Sequence, residues 1–400
     1  MTKSQISKIA INSILTRGVE DVLVREHLEG VLQSGKKLRI KLGIDPTGAK
    51  IHLGRAITLW KLREFQDLDH QIVLIIGDFT AQIGDPSDKL DKRPMLTLPQ
   101  IKTNMATYKE QIGKILDLSK VEWRYNSEWL KKLTFLEIAE LAESFSLQQI
   151  LARRNFKDRL DKKQDISLRE VLYPLMQGYD SVAVKADVEL GGTDQLFNLT
   201  AGRKIQEHYK MPAQDILTIQ MLEGTDGRKM STSWGNVVTI VDEPNEMYGK
   251  LMSIKDELIP KYLLLTTRLS QIEVDNLVKD LKQGTNPKII KQILAREVVA
   301  LYYNNLAAQK AESEFENVHK QGNLPKNMPE FFVPKGKKNI SATDLLVYLK
   351  LAPSKSEAQR LIKQGGVKIS GVVVKNWQTE VILESGLVVQ VGSRRFAKLK

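Results

Sequence analysis

The stretch Asp45-Pro46-Thr47-Gly48-Ala49-Lys50-Ile51-His52-Leu53-Gly54-Arg55 decides how this chain of 400 residues is read. Just before it, Leu38, Ile40, Leu42 and Ile44 alternate with Arg39, Lys41 and Gly43 as the residues of a strand do. Pro46 and Gly48 are turn formers, and apolar residues at Leu53, Ile57, Trp60 and Leu68 carry the period of a helix. A strand that turns into a helix N-terminus leaves backbone amides free to face an anion. Gly54 has no side chain to keep a nucleotide from the backbone. His52, at the helix start, can donate a hydrogen bond to a phosphoryl oxygen as charge develops there.

Some 175 residues later comes Gly227-Arg228-Lys229-Met230-Ser231-Thr232-Ser233. Gly224, Gly227 and Gly235 bound a segment with two cations and three hydroxyls, a composition suited to folding over a triphosphate and opening again. Alone, either segment reads as a polar surface loop. Their order and separation within one strand-rich half are harder to reach by accident.

Composition sets the frame. A chain of this length that is 42% hydrophobic buries more than one core. With no cysteine it has neither a disulfide scaffold nor a thiolate metal site. No apolar run reaches membrane-spanning length and Met1–Leu15 lacks a signal-peptide core, so a cytoplasmic protein with no membrane partner is expected. The net charge of +12 suits a polyanionic partner. From Ser341 to Lys400 ten Lys/Arg face four Asp/Glu, so half of the excess charge falls in about a seventh of the chain.

Up to about residue 240, short apolar strands (72–76, 121–125, 188–190, 216–219) alternate with helical patterns, which predicts an α/β, doubly wound and mainly parallel sheet covered on both faces. Residues 241–322 read as all-α, with Ile289, Ile290, Ile293, Val298 and Leu301 near one face of a long helix. Residues 323–339 begin within a Pro-, Gly- and Lys-rich stretch that opens at Gln321 and read as a linker. A small basic α+β domain follows over 340–400. Its Ser354-Lys355-Ser356-Glu357 has capping-box spacing, its helix ends at Gly365-Gly366, and two hairpins are expected to turn at Ser370-Gly371 and Ser385-Gly386. Tyr173, Gln177 and Asp180 stand at i, i+4 and i+7, which brings three polar groups to one helix face.

These motifs together resemble the bacterial tyrosyl-tRNA synthetases, a branch of the class I aminoacyl-tRNA synthetase family, from about residue 37 to the end of the chain. The resemblance implies a Rossmann-like catalytic domain that binds ATP, with magnesium accompanying the triphosphate, and L-tyrosine. It implies catalytic roles for His52, Arg55 and Lys229 and nucleotide contacts from Asp45, Gly54, Gly192, Asp194, Arg228, Lys229, Met230, Ser231, Thr232 and Ser233. In the turn Gly191-Gly192-Thr193-Asp194-Gln195, Asp194 would hold the ribose and Gln195 the substrate carbonyl. Tyr173 and Gln177 would hold the tyrosine ammonium with help from Thr80 and Asp85, Asp180 would accept from the phenol, and Lys41 falls at a phenol-reading position. The SKSEAQRLIKQGGVKISG segment is similar to the small RNA-binding domain named after a ribosomal protein. Lys355, Arg360, Lys363 and Lys368 would there face the phosphates of tRNA(Tyr). A homodimer is implied by the family. No carboxylate cluster reads as a dedicated metal site.

Three residues depart from the family pattern. Arg55 stands where a second histidine is usual, Thr232 replaces a second lysine, and Lys41 stands where one branch has a tyrosine. Two other readings stay open: the tryptophan-specific sister enzyme, against which Asp180 and the basic C-terminal domain speak, and a catalytically weak paralogue retained for RNA binding, for which Arg55 and Thr232 speak.

Overall fold

In the computed structural model, the chain is described over residues 3–87, 95–231, 234–320, 328–333, 338–392 and 395–400, without the side chains of 3–7 and 318–320. It forms two compact units: residues 1–242 with 253–302, and residues 243–252 with 303–400.

The first unit is built on a six-stranded sheet of order β1-β6-β5-β2-β3-β4. The strands are β1 (Val19–Leu23), β2 (Arg39–Ile44), β3 (Gln71–Ile76), β4 (Val121–Tyr125), β5 (Val188–Gly192) and β6 (Asp215–Ile219). Strands β2 to β6 pair in parallel; β1 runs antiparallel along β6. In β3, the run Ile72 to Ile76 is buried throughout, as expected of a central strand covered on both faces. β1 buries only Val22 and exposes Glu20 and Asp21, an edge pattern too short and too charged to stand out in sequence.

From β2 the chain winds outward through β3 to β4, then returns to place β5 and β6 on the other side of β2. The order therefore reverses between β2 and β5. In such sheets the crevice at the carboxyl ends of the strands, at that reversal, is where ligands sit. Two helices pack closely on one another, Leu168–Ala183, started by a Ser167/Glu170 capping box, and Leu196–His208, which also packs on β5. Glu170 also pairs with Arg159 at 2.8 Å, both side chains almost fully buried. Loss of either partner would strand a buried charge at a cost of about 3–5 kcal/mol. Helices Ile259–Thr266, Gln271–Lys282 and Pro287–Tyr302 complete the unit. In the last of these the buried face is Ile290, Leu294, Ala295, Val298, Val299 and Tyr302, while Ile289 is exposed.

The second unit contains helices Pro244–Met252 and Asn305–Lys320, joined by a Tyr248–Phe315 ring contact at 5.5 Å, and the C-terminal α+β module. The module's sheet has the order β10-β9-β12-β13-β7, with β7 (Glu330–Phe331), β9 (Val367–Ile369), β10 (Val372–Val373), β12 (Val388–Val391) and β13 (Arg395–Leu399). β8 (Asn339–Ser341) and β11 (Glu380–Ile382) form a separate pair. The hairpin expected at Ser370-Gly371 is present as β9–β10. The one expected at Ser385-Gly386 is not: β11 pairs with β8, and β12 with β9 and β13. Val389 and Val391 are buried in one core with residues of the helices Ala342–Tyr348 and Lys355–Lys363, and core packing outweighs the local turn signal. Ser354 caps the second helix by accepting from the Glu357 amide at 3.3 Å, but the Glu357 carboxylate turns to Arg360, so the reciprocal half of the expected box is absent.

Candidate active site

Each parallel strand delivers a residue to one pocket just beyond its carboxyl end: Asp45 after β2, Gly77 and Thr80 after β3, Asn126 after β4, Gly192 and Asp194 at the end of β5, and Gln220 to Leu222 after β6. The helix Leu53–Asp67 starts at the same place. His52 is its N-cap, and its Nδ1 accepts from the Arg55 amide at 3.3 Å. Burial, with the Arg55 charge adding to it, lowers the imidazole pKa to about 3. The ring is thus neutral, and because Nδ1 is the acceptor, Nε2 carries the hydrogen. A side chain at position 54 would press against His52 Nδ1 (3.1 Å) and the Met230 sulfur (3.4 Å), which explains the glycine there.

Arg55 is held at the pocket edge by Thr47 Oγ1 (2.7 Å) and Tyr108 OH (3.3 Å), and the Tyr108 hydroxyl in turn donates to the Gly48 carbonyl at 2.6 Å. Lys229 and Asp194 line the same pocket and form an ion pair at 3.4 Å. Arg228 lies outside the pocket wall. Its guanidinium forks onto Asp226 and stacks on Trp234 at 4.7 Å. Hydrogen bonds from Asn236 and from Arg228 hold the Asp226 carboxyl well below the usual range. Asn236, buried, also donates to the Lys229 carbonyl (3.1 Å) and accepts from the Ser231 amide (2.8 Å), so one side chain shapes the loop. Thr232 and Ser233 lie outside the described residues.

The other end of the pocket is closed and dense with hydrogen bonds. Asp45 accepts from Thr80 Oγ1 at 2.7 Å and from Tyr173 OH at 2.9 Å, and any side chain at Gly77 would collide with both Asp45 and Thr80. Burial, then the Asp45 and Asp85 charges, raise the Tyr173 pKa well above its ordinary value, so the phenol stays protonated. Asp85 accepts from Gln195 Nε2 (2.7 Å) and from the Ser87 amide (2.9 Å). Asp180, 3% exposed, accepts from Trp129 Nε1 at 2.8 Å and from Asn126 Nδ2 at 3.3 Å. Burial pushes its pKa up to about 7, against the opposing pull of Lys41 and those two donors.

Tyr173, Gln177 and Asp180, which sequence spacing sets on one helix face, all line this pocket. Lys41 does not: its ammonium is taken up by Glu189, Ser181 and the Gln177 carbonyl. Trp129, Asn126, Glu189 and Tyr108 were not singled out in sequence. Asn126 had a legible signal, since it follows a predicted strand at its carboxyl end. Trp129 is on a four-residue helix and reaches Asp180 across 51 positions, a relation that no local pattern carries.

In the C-terminal module Lys363 and Lys368 are exposed. Lys355 pairs with Asp344 at 2.6 Å and Arg360 forks onto Glu357.

A parallel sheet whose reversal point holds a capped helix N-terminus, a glycine turn with a carboxylate and a cation-bearing loop defines a nucleotide-binding α/β enzyme class. The chain belongs to the tRNA synthetases class I (W and Y), whose pattern it matches over residues 33–320, and it carries an S4 domain over residues 344–381. It is 46% identical to the tyrosine-tRNA ligase of Thermotoga maritima, over 96% of each chain. It is 47% identical to that of Moorella thermoacetica, over 96% of this chain and 94% of the other. The tyrosyl-tRNA synthetase of Archaeoglobus fulgidus, crystallised with L-tyrosine, shares its fold at 22% identity with a TM-score of 0.62, covering 76% of this chain and 99% of that one.

Proposed function

We propose that this protein activates L-tyrosine with ATP and transfers it to the 3′ end of tRNA(Tyr). The observation that carries the reading is Asp180: a carboxyl acceptor at the closed end of the pocket, on the same helix face as Tyr173 and Gln177. Such an acceptor suits a phenol hydroxyl, and a substrate lacking that hydroxyl leaves it unpaired.

On this reading Tyr173, Gln177, Thr80 and Asp85 surround the tyrosine ammonium, and Gln195 lies beside the carboxylate. Asp194 and Gly192 face the ribose, with Asp45 beneath the nucleotide. The carboxylate attacks the α-phosphorus of magnesium ATP and pyrophosphate leaves. The attacking group is already ionised, so no general base is needed. The His52 Nε2–H, Arg55 and Lys229 stabilise the charge that builds on the phosphoryl oxygens. Arg55 supplies a cation that offsets the lysine replaced by Thr232. Arg228 joins only if it leaves Asp226. A ribose hydroxyl of the tRNA then attacks the carbonyl carbon of the mixed anhydride, the bond to the phosphate oxygen breaks and AMP leaves, so the tyrosyl group ends as an ester of the tRNA.

The basic C-terminal domain, through Lys363 and Lys368 first and Lys355 and Arg360 once released from their carboxylates, contacts the tRNA backbone. The same reading includes a symmetric pair of copies, for which Phe135 (88% exposed), Leu136 (68%) and Leu168 (73%) are candidate apolar contacts. Sedimentation of the protein as a monomer at micromolar concentration would remove that part. Among the described residues no helix is long and apolar enough to cross a membrane. Cytoplasmic residence is the expectation that goes with tRNA charging.

Pyrophosphate exchange tests the whole. Exchange is expected with tyrosine and absent with tryptophan and phenylalanine, and charging of tRNA(Tyr) should weaken steeply with salt. Equal exchange with phenylalanine would sink the pocket assignment, since a site that hydrogen-bonds the hydroxyl discriminates by roughly 10⁴ or more.

A further inference from the structure

Beneath the pocket lies a buried pair of charges that the proposed reaction leaves without a task. Lys41 on β2 and Glu189 on β5 are partners in the parallel register, are 0% and 1% exposed, and approach to 2.9 Å. Lys41 Nζ also donates to the Gln177 carbonyl at 2.9 Å and to Ser181 Oγ at 2.7 Å, which uses all three of its hydrogens. Besides the ammonium, Glu189 accepts from Ser181 Oγ at 3.2 Å, from Gln214 Nε2 and, at 3.1 Å, from Gln177 Nε2.

Stability does not account for such a pair. Well-packed apolar residues of similar volume often hold a core equally well or better, because both charges must first be stripped of water. The bond to Gln177 offers another account. A glutamine amide can be turned end for end at almost no steric cost, offering either its NH₂ or its carbonyl to a given direction. An ionised carboxylate only accepts, so Glu189 holds the NH₂ end, which leaves Oε1 for the pocket that Gln177 lines. A cationic ligand group needs that orientation; the reversed amide would aim two hydrogens at it.

We propose that Lys41 and Glu189 are a pair of positioning residues that lock the Gln177 amide with its oxygen toward the substrate ammonium. Glu189 chooses the orientation. Lys41 compensates the charge of Glu189 and clamps the helix backbone at Gln177. The departure from the family at Lys41 then acts at the ammonium end of the substrate, through Glu189. The inference rests on the assignment of this pocket to an amino acid.

The test uses pyrophosphate exchange by the full chain, with the unaltered protein as control. Glu189→Met removes the acceptor at similar volume. It should raise the KM for tyrosine about 10- to 100-fold, the worth of a hydrogen bond to a charged group, with the KM for ATP and the kcat at saturating tyrosine within about twofold. Because that variant leaves the Lys41 charge buried alone, it is paired with Lys41→Met/Glu189→Met, which carries no buried charge. The double variant should regain the melting temperature but keep the raised tyrosine KM. A purely structural role predicts that the two recover together, and that result would overturn the proposal, as would an unmoved tyrosine KM in either folded variant. A crystal structure of the unaltered protein with tyrosine adds a check that needs no variant. The ammonium should lie against Gln177 while the amide stays on Glu189; an amide that has left Glu189 is contrary. If the unaltered protein shows no exchange with tyrosine, the pocket assignment itself falls and the inference with it.

Discussion

At the closed end of the pocket Asp180 is 3% exposed and fixed by Trp129 and Asn126, and Asp45 is tied to Thr80 and Tyr173. At its mouth the Lys229 side chain is 39% exposed, and Arg228, 60% exposed, lies aside on Asp226 and Trp234. The contrast follows from what each end has to do. Choosing one amino acid over another requires acceptors that are desolvated and held before the ligand arrives, so that a missing hydroxyl leaves them unpaired. Stabilising a triphosphate that must enter and a pyrophosphate that must leave requires cations on a segment that can open. The first end is assembled by folding; the second is completed by binding.

Substitutions at the two ends should therefore fail in different ways. Asp180→Ala removes the phenol acceptor and leaves two donors, Trp129 Nε1 and Asn126 Nδ2, without their carboxylate. Preference for tyrosine over phenylalanine in pyrophosphate exchange is expected to fall by roughly 10⁴, with the circular dichroism spectrum kept. Undiminished preference would mean that the helix Leu168–Ala183 does not read the phenol.

Lys229→Ala should act on the other end alone. Loss of one charge-assisted donor slows adenylate formation by roughly 10² or more while the KM for tyrosine stays put. A tyrosine KM that rises with the loss of rate would show the two ends to be coupled rather than independent.

The same division governs what could be read before the structure. His52, Gly54 and Lys229 lie in contiguous segments whose turn and charge chemistry is local, and Tyr173, Gln177 and Asp180 share one helical period. All six line the pocket. What escaped is what lies under them. Trp129, Glu189 and Asn236 act through side chains that meet only after β4, β5 and the glycine loop are in register, so their meaning is tertiary. Lys41 shows the limit most plainly: its position suggested a pocket contact, but a partner across the sheet captures its ammonium. The second hairpin of the C-terminal module failed for a related reason, since a turn signal says where a chain can reverse and the core decides which strands then pair.

The smallest effect expected is also the one that separates the two ends in a single experiment: the dependence on pH. At the closed end, burial raises the Asp180 pKa to about 7, above its unfolded value. Its contribution to stability is therefore present at low pH and is lost as pH rises toward 7. In the ligand-free protein the carboxyl is protonated below that point, and a neutral carboxyl is a weaker acceptor for a phenol than a carboxylate. Because kcat/KM reports ionisations of the free enzyme, kcat/KM for tyrosine should fall by roughly five- to tenfold as pH drops through 7 and level off below it, a step that Asp180→Asn abolishes. At the mouth, burial and Arg55 lower the His52 pKa to about 3, below its unfolded value, so its contribution is present at neutral pH and is lost as pH falls through that range. Between pH 7 and 5 the imidazole stays neutral and its Nε2–H remains a donor. kcat/KM for ATP, measured at saturating tyrosine over that interval, should show no limb from His52. A limb near 6.5 that vanishes in His52→Gln would mean that the imidazole titrates in the working enzyme, and that the mouth is wetter than its helix-cap geometry implies.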